Sequence, residues 1–298
     1  MCVPDSFPES LDWTLTLNNS AMLYKRILTI QDISCVGKCS MTIALPILAA
    51  CGHEVSILPT EILSTHTGLS RAPVTHHMDA GLSAIRSHWE ELNVSFDIIL
   101  TGYLGSVRAI EEVMKISETM LAPGGELIVD PAMADHGKLY SGLSEEYAAA
   151  MSVLCSKADI LLPNITEAAM LSGLPYQEIN DKYVKELLSR MPCSRVILTG
   201  VGYHPHETGA EIRDGEECFS YRHQRFGKNY HGTGDIFAAC FTGARACEKS
   251  LWESAKIAAD FTGLAIEHTW NRPGNSFGVK FEPCLHSLYE MLNKGPET

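Results

Sequence analysis

His231-Gly-Thr-Gly-Asp-Ile-Phe-Ala-Ala-Cys-Phe241 opens a long apolar helix with a glycine turn. Glycines carry no side chain, so the backbone can approach an anion closely. A helix start presents unpaired N–H groups and a partial positive charge. The segment therefore reads as a cradle for a phosphate or another oxyanion, with Asp235 on the first helical turn. The alternative is a tight strand-to-helix turn in which Asp235 only complements the helix dipole. Neither a Gly-x4-Gly-Lys-Ser/Thr loop nor a Gly-x-Gly-x-x-Gly after the first strand is present, so the common nucleotide-binding folds are excluded.

Upstream of the cradle the chain alternates between short apolar strands and helical segments. Arg26–Gln31 reads as the first strand, followed by a helix over about 40–51 with Pro46 as a kink. Strands are expected at 54–58, 97–101, 126–129, 159–162 and 195–199, with helices near 78–92, 107–121, 144–156 and 183–191 between them. Gly209–Arg213 and Glu217–Tyr221, joined by Asp214-Gly215, read as a hairpin. Helices over 233–249, 251–270 and 281–293 end the pattern. Repeated βα units imply an α/β fold, a three-layer α/β/α sandwich with a mostly parallel central sheet. Residues 1–24, polar and carrying Pro4 and Pro8, read as an N-terminal extension, and 25–298 as a single domain.

Hydrophobic residues at 45% and charged residues at 20% exclude disorder over most of the chain. The formal charge of −13 argues against nucleic acid and anionic membranes as partners, because phosphate backbones need basic patches. No apolar run reaches the roughly 18 residues of a membrane span, and the acidic start is unlike a secretory signal. The 10 cysteines form no Cys-x-x-Cys pair, so they read as free thiols in a reducing cytoplasm. His204-Pro-His206 reads as a solvated turn.

In open parallel sheets, ligands bind beyond the carboxyl ends of the strands. Polar residues gather at each of those ends here: Asp32 to Lys38, Pro59 to Gly68, Thr101-Gly-Tyr-Leu-Gly-Ser106, Asp130-Pro-Ala-Met-Ala-Asp-His-Gly-Lys138 and Pro163-Asn-Ile-Thr-Glu167. Each has a structural alternative. His66 could cap loop backbone, and Tyr103 could fill core. Asp130-Pro131 could start a turn, and Asn164 and Thr166 could cap a helix with Glu167 in its first turn.

Taken together these motifs resemble a family. Gly232-Thr-Gly-Asp235 is similar to the anion-hole and base motif of the ribokinase superfamily, and Asn164-Ile-Thr-Glu167 to its Asn-x-x-Glu element. Thr65-His-Thr-Gly68, Thr101 to Ser106 and Asp130-Pro-Ala-Met133 resemble the vitamin B6 kinases within it. The resemblance spans residues 26 to about 270. It implies a ribokinase-like fold and ATP-dependent phosphorylation of the 5′-hydroxymethyl group of pyridoxal, pyridoxine or pyridoxamine. Asp235 would be the general base, with the N–H groups of Gly232, Thr233 and Gly234 stabilising the transferring phosphoryl. Asp130 and Glu167 would act around Mg2+ and the phosphates, Glu167 through water, supported by Asn164. Thr199 would lie on the nucleotide side. Asp32, His66, Thr67 and Tyr103 match positions that contact the vitamer. Residues 135–140 would form a flap over ATP, with Lys138 as a phosphate contact. The family also implies a homodimer, and a monovalent cation stays open.

The chain departs from the family pattern in carrying Asp32 where many relatives have serine, and Ser34-Cys-Val-Gly-Lys-Cys39 in place of a Val-Tyr-Gly type loop. Three other readings share part of this pattern. Hydroxymethylpyrimidine kinases share the fold, but their anion-hole motif usually ends in cysteine. Sugar kinases carry a small β-lid and Gly-Gly-Asn motifs. A non-catalytic B6-binding protein has no need of a base.

Overall fold

Ile27 and Leu28 are adjacent and fully buried, yet they belong to different cores. The same split separates Ile98 from Ile99 and Leu127 from Ile128. Successive strand side chains point to opposite faces, so a strand apolar on both faces must be covered on both. This is the arrangement in the computed structural model, which describes residues 24–68, 72–226, 230–271 and 277–294. The expected extension at 1–24 lies, but for Tyr24, outside the described residues.

The chain runs β1 (Arg26–Ser34), α1 (Met41–Ala50), β2 (Glu54–Leu63), β3 (Thr75–His77), α2 (Asp79–Glu91), β4 (Phe96–Thr101), α3 (Val107–Met120) and β5 (Leu121–Val129). A small hairpin, β6 (Ala134–Asp135) and β7 (Lys138–Leu139), precedes α4 (Glu145–Lys157), β8 (Ile160–Leu161), α5 (Ile165–Ser172), α6 (Asp181–Ser189) and β9 (Arg195–Thr199). Then come β10 (Glu207–Asp214), β11 (Glu217–Gln224), α7 (Thr233–Ala246), α8 (Leu251–Trp270), a 3-10 turn (Glu282–Cys284) and α9 (Leu285–Asn293). The large sheet has the order β11-β10-β9-β8-β5-β4-β1-β2-β3. Neighbours from β9 through β2 are parallel, and antiparallel strands flank them on each side. Phe237 and Phe241 of α7 and Phe261 of α8 pack with α1 and α9 on one face. Val113, Leu154 and Leu187 of α3, α4 and α6 cover the other. The fold is therefore a three-layer α/β/α sandwich.

Several boundaries move for local reasons. Asp214 pairs with Glu217, so the hairpin turn is Gly215-Glu216 rather than Asp214-Gly215, with Gly215 at φ +61°. The helix expected to reach Lys249 stops at Ala246, and Glu248 turns left-handed at φ +61°. The last helix starts as a 3-10 turn around Pro283. Elements beyond the expected ones are the edge strand β3, the short β6–β7 hairpin within the expected flap, and α5, whose capping residues are the structural alternative named above.

From β1 the chain first moves out to β2 and β3, then returns to β4 on the other side of β1. That reversal opens a crevice at the carboxyl ends, the usual ligand position in such sheets. Pairing of β1 with β4 ends at Ile30↔Thr101, while β1 continues along β2 to Ser34↔Leu63. Between Gln31 and Ile33 the register shifts, so Asp32 faces two residues of β2, Thr60 and Glu61. Such bulges commonly re-aim side chains beside active sites.

Candidate active site

Asp32 sits at this bulge, 2% exposed, with its backbone N–H donating to the Tyr103 carbonyl at 3.2 Å. Its Oδ2 accepts the Ser34 hydroxyl at 3.0 Å. Burial pushes its carboxyl up to about 6, aided by the charges of Asp235 and Glu61 and opposed by hydrogen bonds from Ser40 and Ser34. Glu61 is 4% exposed and holds His77 Nδ1 at 2.8 Å. Burial raises its pKa, and the His77 contact lowers it. Gly105, at φ +75°, lies so close to Glu61 that a Cβ would collide with that carboxylate. Tyr103 completes this side; burial first, then Glu61 and Asp32, push its phenol up to about 12.

His66 is 3% exposed. Its Nδ1 accepts the Gly68 N–H at 3.0 Å, which leaves the proton on Nε2, and Nε2 is buried with no partner among the described residues. Burial and the neighbouring His231 hold its pKa down, so the ring is neutral. The two imidazoles stand 4.8 Å apart, linking the 65–68 loop to the residue just before the cradle. Thr67 is exposed.

At the cradle, Gly232 caps α7 at φ +83°, and a Cβ there would lie 2.5 Å from the Lys38 carbonyl oxygen and 2.6 Å from Ile43 Cδ1. Only glycine fits this position. Around Gly234, by contrast, a Cβ would meet nothing within 4 Å among the described residues. Asp235 is raised by burial and restrained by hydrogen bonds from the Ser40 backbone and the Cys39 thiol, whose Sγ lies 3.4 Å from Oδ2. The Cys39 thiol is itself pushed well up by burial and by Asp235 and Asp32, so it stays protonated and donates.

Asn164 and Glu167 form a capping box at the start of α5. The Asn164 side chain accepts from the Thr166 and Glu167 N–H groups and donates to the Ala134 carbonyl. Glu167, 2% exposed, accepts from the Asn164 and Met133 N–H groups at 2.9 and 3.0 Å. The capping alternative is thus realised, and the pair also fixes the backbone leading into the β6–β7 hairpin. Burial pushes Glu167 up to about 7 against those hydrogen bonds. Asp130 rises well above its ordinary range through burial, then through Glu167 and Asp235. Tyr140 is raised too, by burial and by Glu167 and Asp130. Lys138 is exposed on the hairpin, paired across it with Asp135. The Thr199 hydroxyl donates to the Pro163 carbonyl at 3.3 Å, fixing β9 beside Asn164.

Asp32, Tyr103, Asp130, Glu167 and Asp235 are thus linked through their mutual charges. Glu61, Cys39, Ser40 and Tyr140 join them and were not singled out from sequence. Among the described residues no three His, Cys, Asp or Glu side chains converge as a metal-binding set. No described helix is long and apolar enough to cross a membrane.

Sheet order, glycine cradle and strand-end carboxylates define a ribokinase-like phosphotransferase. The phosphomethylpyrimidine kinase family profile matches residues 55–279, and the chain belongs to that family. It is 31% identical to the hydroxymethylpyrimidine/phosphomethylpyrimidine kinase of Bacillus subtilis, over 62% of this chain and 70% of the relative. The pyridoxal kinase structure from Lactobacillus plantarum is 32% identical and superposes with a TM-score of 0.82, covering 90% of this chain and 97% of that one. A Bacteroides thetaiotaomicron structure, provisionally named a phosphomethylpyrimidine kinase and described with pyridoxal, is 31% identical with a TM-score of 0.83, covering 89% and 96%. Relatives thus carry names of both vitamin kinases.

Proposed function

We propose that this kinase transfers the γ-phosphoryl of ATP to the 5′-hydroxymethyl oxygen of a vitamin B6 ring. The observation that carries this reading is the pairing, on one helix turn, of a backbone cradle with open space at Gly234 and a desolvated carboxylate at Asp235. Asp235 accepts the hydroxyl proton as the oxygen attacks phosphorus. The bond to the β-phosphate oxygen breaks, and ADP leaves. The N–H groups of Gly232, Thr233 and Gly234 stabilise charge on the transferring group.

The flat ring lies between the β1 bulge and the 65–68 loop. Asp32 meets its cationic edge, the unpartnered His66 N–H gives a hydrogen bond to the ring hydroxyl, and Tyr103 and Thr67 flank it. The nucleotide runs the other way, past Asn164 and Thr199. Because β11 runs in the same direction as β9, its carboxyl end opens on the same edge. A cavity there, lined by His223, Phe226, Asp260, Gly263 and Leu264, suits the nucleoside, with Lys138 reaching the phosphates from the hairpin.

Mg2+ fits the chemistry of this edge. Oxygen donors suit it, and Asp130, half-buried, and Glu167, buried, are carboxylates whose mutual repulsion a divalent cation would relieve. Both Glu167 oxygens already accept backbone N–H groups, so Glu167 would act through water. When bound, the ion neutralises phosphate charge.

The identity to the Bacillus kinase favours one second reading, phosphorylation of hydroxymethylpyrimidine at the same centre. The test of the base is Asp235→Asn: turnover falls about 10²–10⁴-fold while thermal unfolding is preserved. Turnover within a few-fold of the parent refutes it.

A further inference from the structure

Among the described residues, one side chain hydrogen-bonds Asp235. It is the Cys39 thiol, whose Sγ lies 3.4 Å from Oδ2. An ionised carboxylate only accepts, so the proton between the two atoms is the thiol's. Burial pushes the thiol's pKa well above its ordinary range, which keeps that proton on sulfur. Lys38, one residue earlier, pairs with Glu282 instead, Nζ to Oε2 at 2.6 Å. A neutral donor thus steadies this carboxylate where a cation might have stood.

The loop fixes this contact from both sides. The Lys38 N–H donates to the Phe277 carbonyl at 2.8 Å, and the Lys38 carbonyl oxygen packs on Gly232 of the cradle. The Cys39 N–H donates to the Thr42 hydroxyl at 3.3 Å. That hydroxyl lies 2.8 Å from the Cys39 carbonyl oxygen and 3.2 Å from that of Gly37, and donates to them. The Ser40 hydroxyl donates to the Cys39 sulfur from 3.7 Å. The sulfur therefore accepts from Ser40 while it donates to Asp235, which gives the thiol a direction. Lys38 and Cys39 run beside the start of α7, one touching the cradle glycine and the other the carboxylate.

We propose that Cys39 is a positioning residue for the phosphoryl transfer: its thiol holds Oδ2 of Asp235 and so presents Oδ1 to the substrate hydroxyl. This rests on the reading of Asp235 as base. A general base acts only when its accepting oxygen is aimed at the proton, and a further group commonly does the aiming. The last torsion of an aspartate side chain is broad, so an untethered carboxylate samples many orientations. One hydrogen bond to Oδ2 removes most of that freedom. The neutral thiol suits the task for a second reason. An ammonium in its place would favour the ionised carboxylate strongly and weaken it as a proton acceptor.

The test uses Cys39→Ala and Cys39→Ser in the full chain, with ATP, Mg2+ and pyridoxal. In Cys39→Ala, kcat should fall about tenfold, the lower end for a hydrogen bond to a charged group because a thiol donates weakly. KM for ATP and for pyridoxal should stay within about twofold, since the thiol touches the base and neither ligand. Cys39→Ser restores a donor and should recover most of the lost kcat. A second measurement needs no turnover. Hydrogen bonding lowers the S–H stretching frequency, so the infrared difference between parent and Asp235→Ala should show one S–H band moved to higher frequency in the variant. A parental kcat in Cys39→Ala overturns the proposal. So does Cys39→Ser as slow as Cys39→Ala, which would make the loss one of packing, or an S–H band unmoved in Asp235→Ala. Failure of the catalytic reading itself would show separately, as retained turnover in Asp235→Asn.

Discussion

Gly234→Ala should make the protein slightly more stable and nearly inactive. Gly234 is the second residue of α7, and its φ is not in the left-handed region. A Cβ built there meets no atom of the described residues within 4 Å, so the methyl fits without displacing them. Replacing a helical glycine with alanine stabilises by about 0.4–1 kcal/mol, largely by restricting the unfolded chain. For a chain of this size, that raises Tm by about 2 °C. The methyl nevertheless fills the open space over the cradle and separates the phosphoryl oxygens from the α7 N–H groups. Loss of one such donor costs about 10²–10³-fold in kcat. Gly232→Ala is the contrasting variant. There the chain is at φ +83° with the Lys38 carbonyl 2.5 Å from the new Cβ, and a backbone oxygen cannot swing away. It should lose about 1–3 kcal/mol from backbone strain alone. Calorimetry gives the Tm of each variant, and coupled ADP release at saturating ATP and pyridoxal gives kcat. A folded Gly234→Ala protein that turns over at the parent rate refutes the assignment of that space to the phosphoryl.

Asp32→Ser should lower kcat/KM about tenfold or more for the vitamer whose cation it meets. A fall confined to pyridoxamine assigns the aminomethyl ammonium, an equal fall for pyridoxine assigns the ring nitrogen, and no fall with lowered Tm leaves Asp32 a loop cap. Stability should also depend on pH in an unusual sense. Asp32 rises from 3.8 to about 6 and Glu167 from 4.5 to about 7 on folding, so the fold binds protons there that the unfolded chain releases. Stability from these groups is full below about pH 4 and is lost as pH rises through about 7. Glu126, held down by Arg245 and Arg195 against its burial, works the other way at lower pH. Calorimetric Tm of the ligand-free protein should therefore peak near pH 5 and fall by several degrees at pH 8; a Tm that climbs steadily from pH 5 to 8 would sink this reasoning.

The layers were legible because strand residues such as Ile27-Leu28 and Ile98-Ile99 are apolar on both faces, which only a sheet covered on both sides accommodates. Strand order was not, since nothing in the composition of β1 says that it lies between β2 and β4. The three residues of β3 carry no alternation long enough to read. At the site, glycine spacing marked the cradle, and strand ends marked Asp32, Tyr103 and Asp130 as residues facing one edge. Their partners escaped notice for a physical reason. Cys39 reaches Asp235 across 196 residues of chain, and Glu61 becomes a neighbour of Asp32 only through a one-residue register shift. Asn164 and Glu167 illustrate a different limit: the residue types suited both a helix cap and a phosphate-side role, and side-chain geometry alone reveals the capping box.

The most direct measurement of the central claim is product analysis by mass spectrometry. The purified protein is incubated with ATP and Mg2+ and, separately, with pyridoxal, pyridoxine, pyridoxamine and hydroxymethylpyrimidine. The account predicts a 5′-phosphomonoester of a B6 vitamer, formed with one ADP per product and lost in Asp235→Asn. Phosphorylation of hydroxymethylpyrimidine alone, or of none of the four, would contradict it.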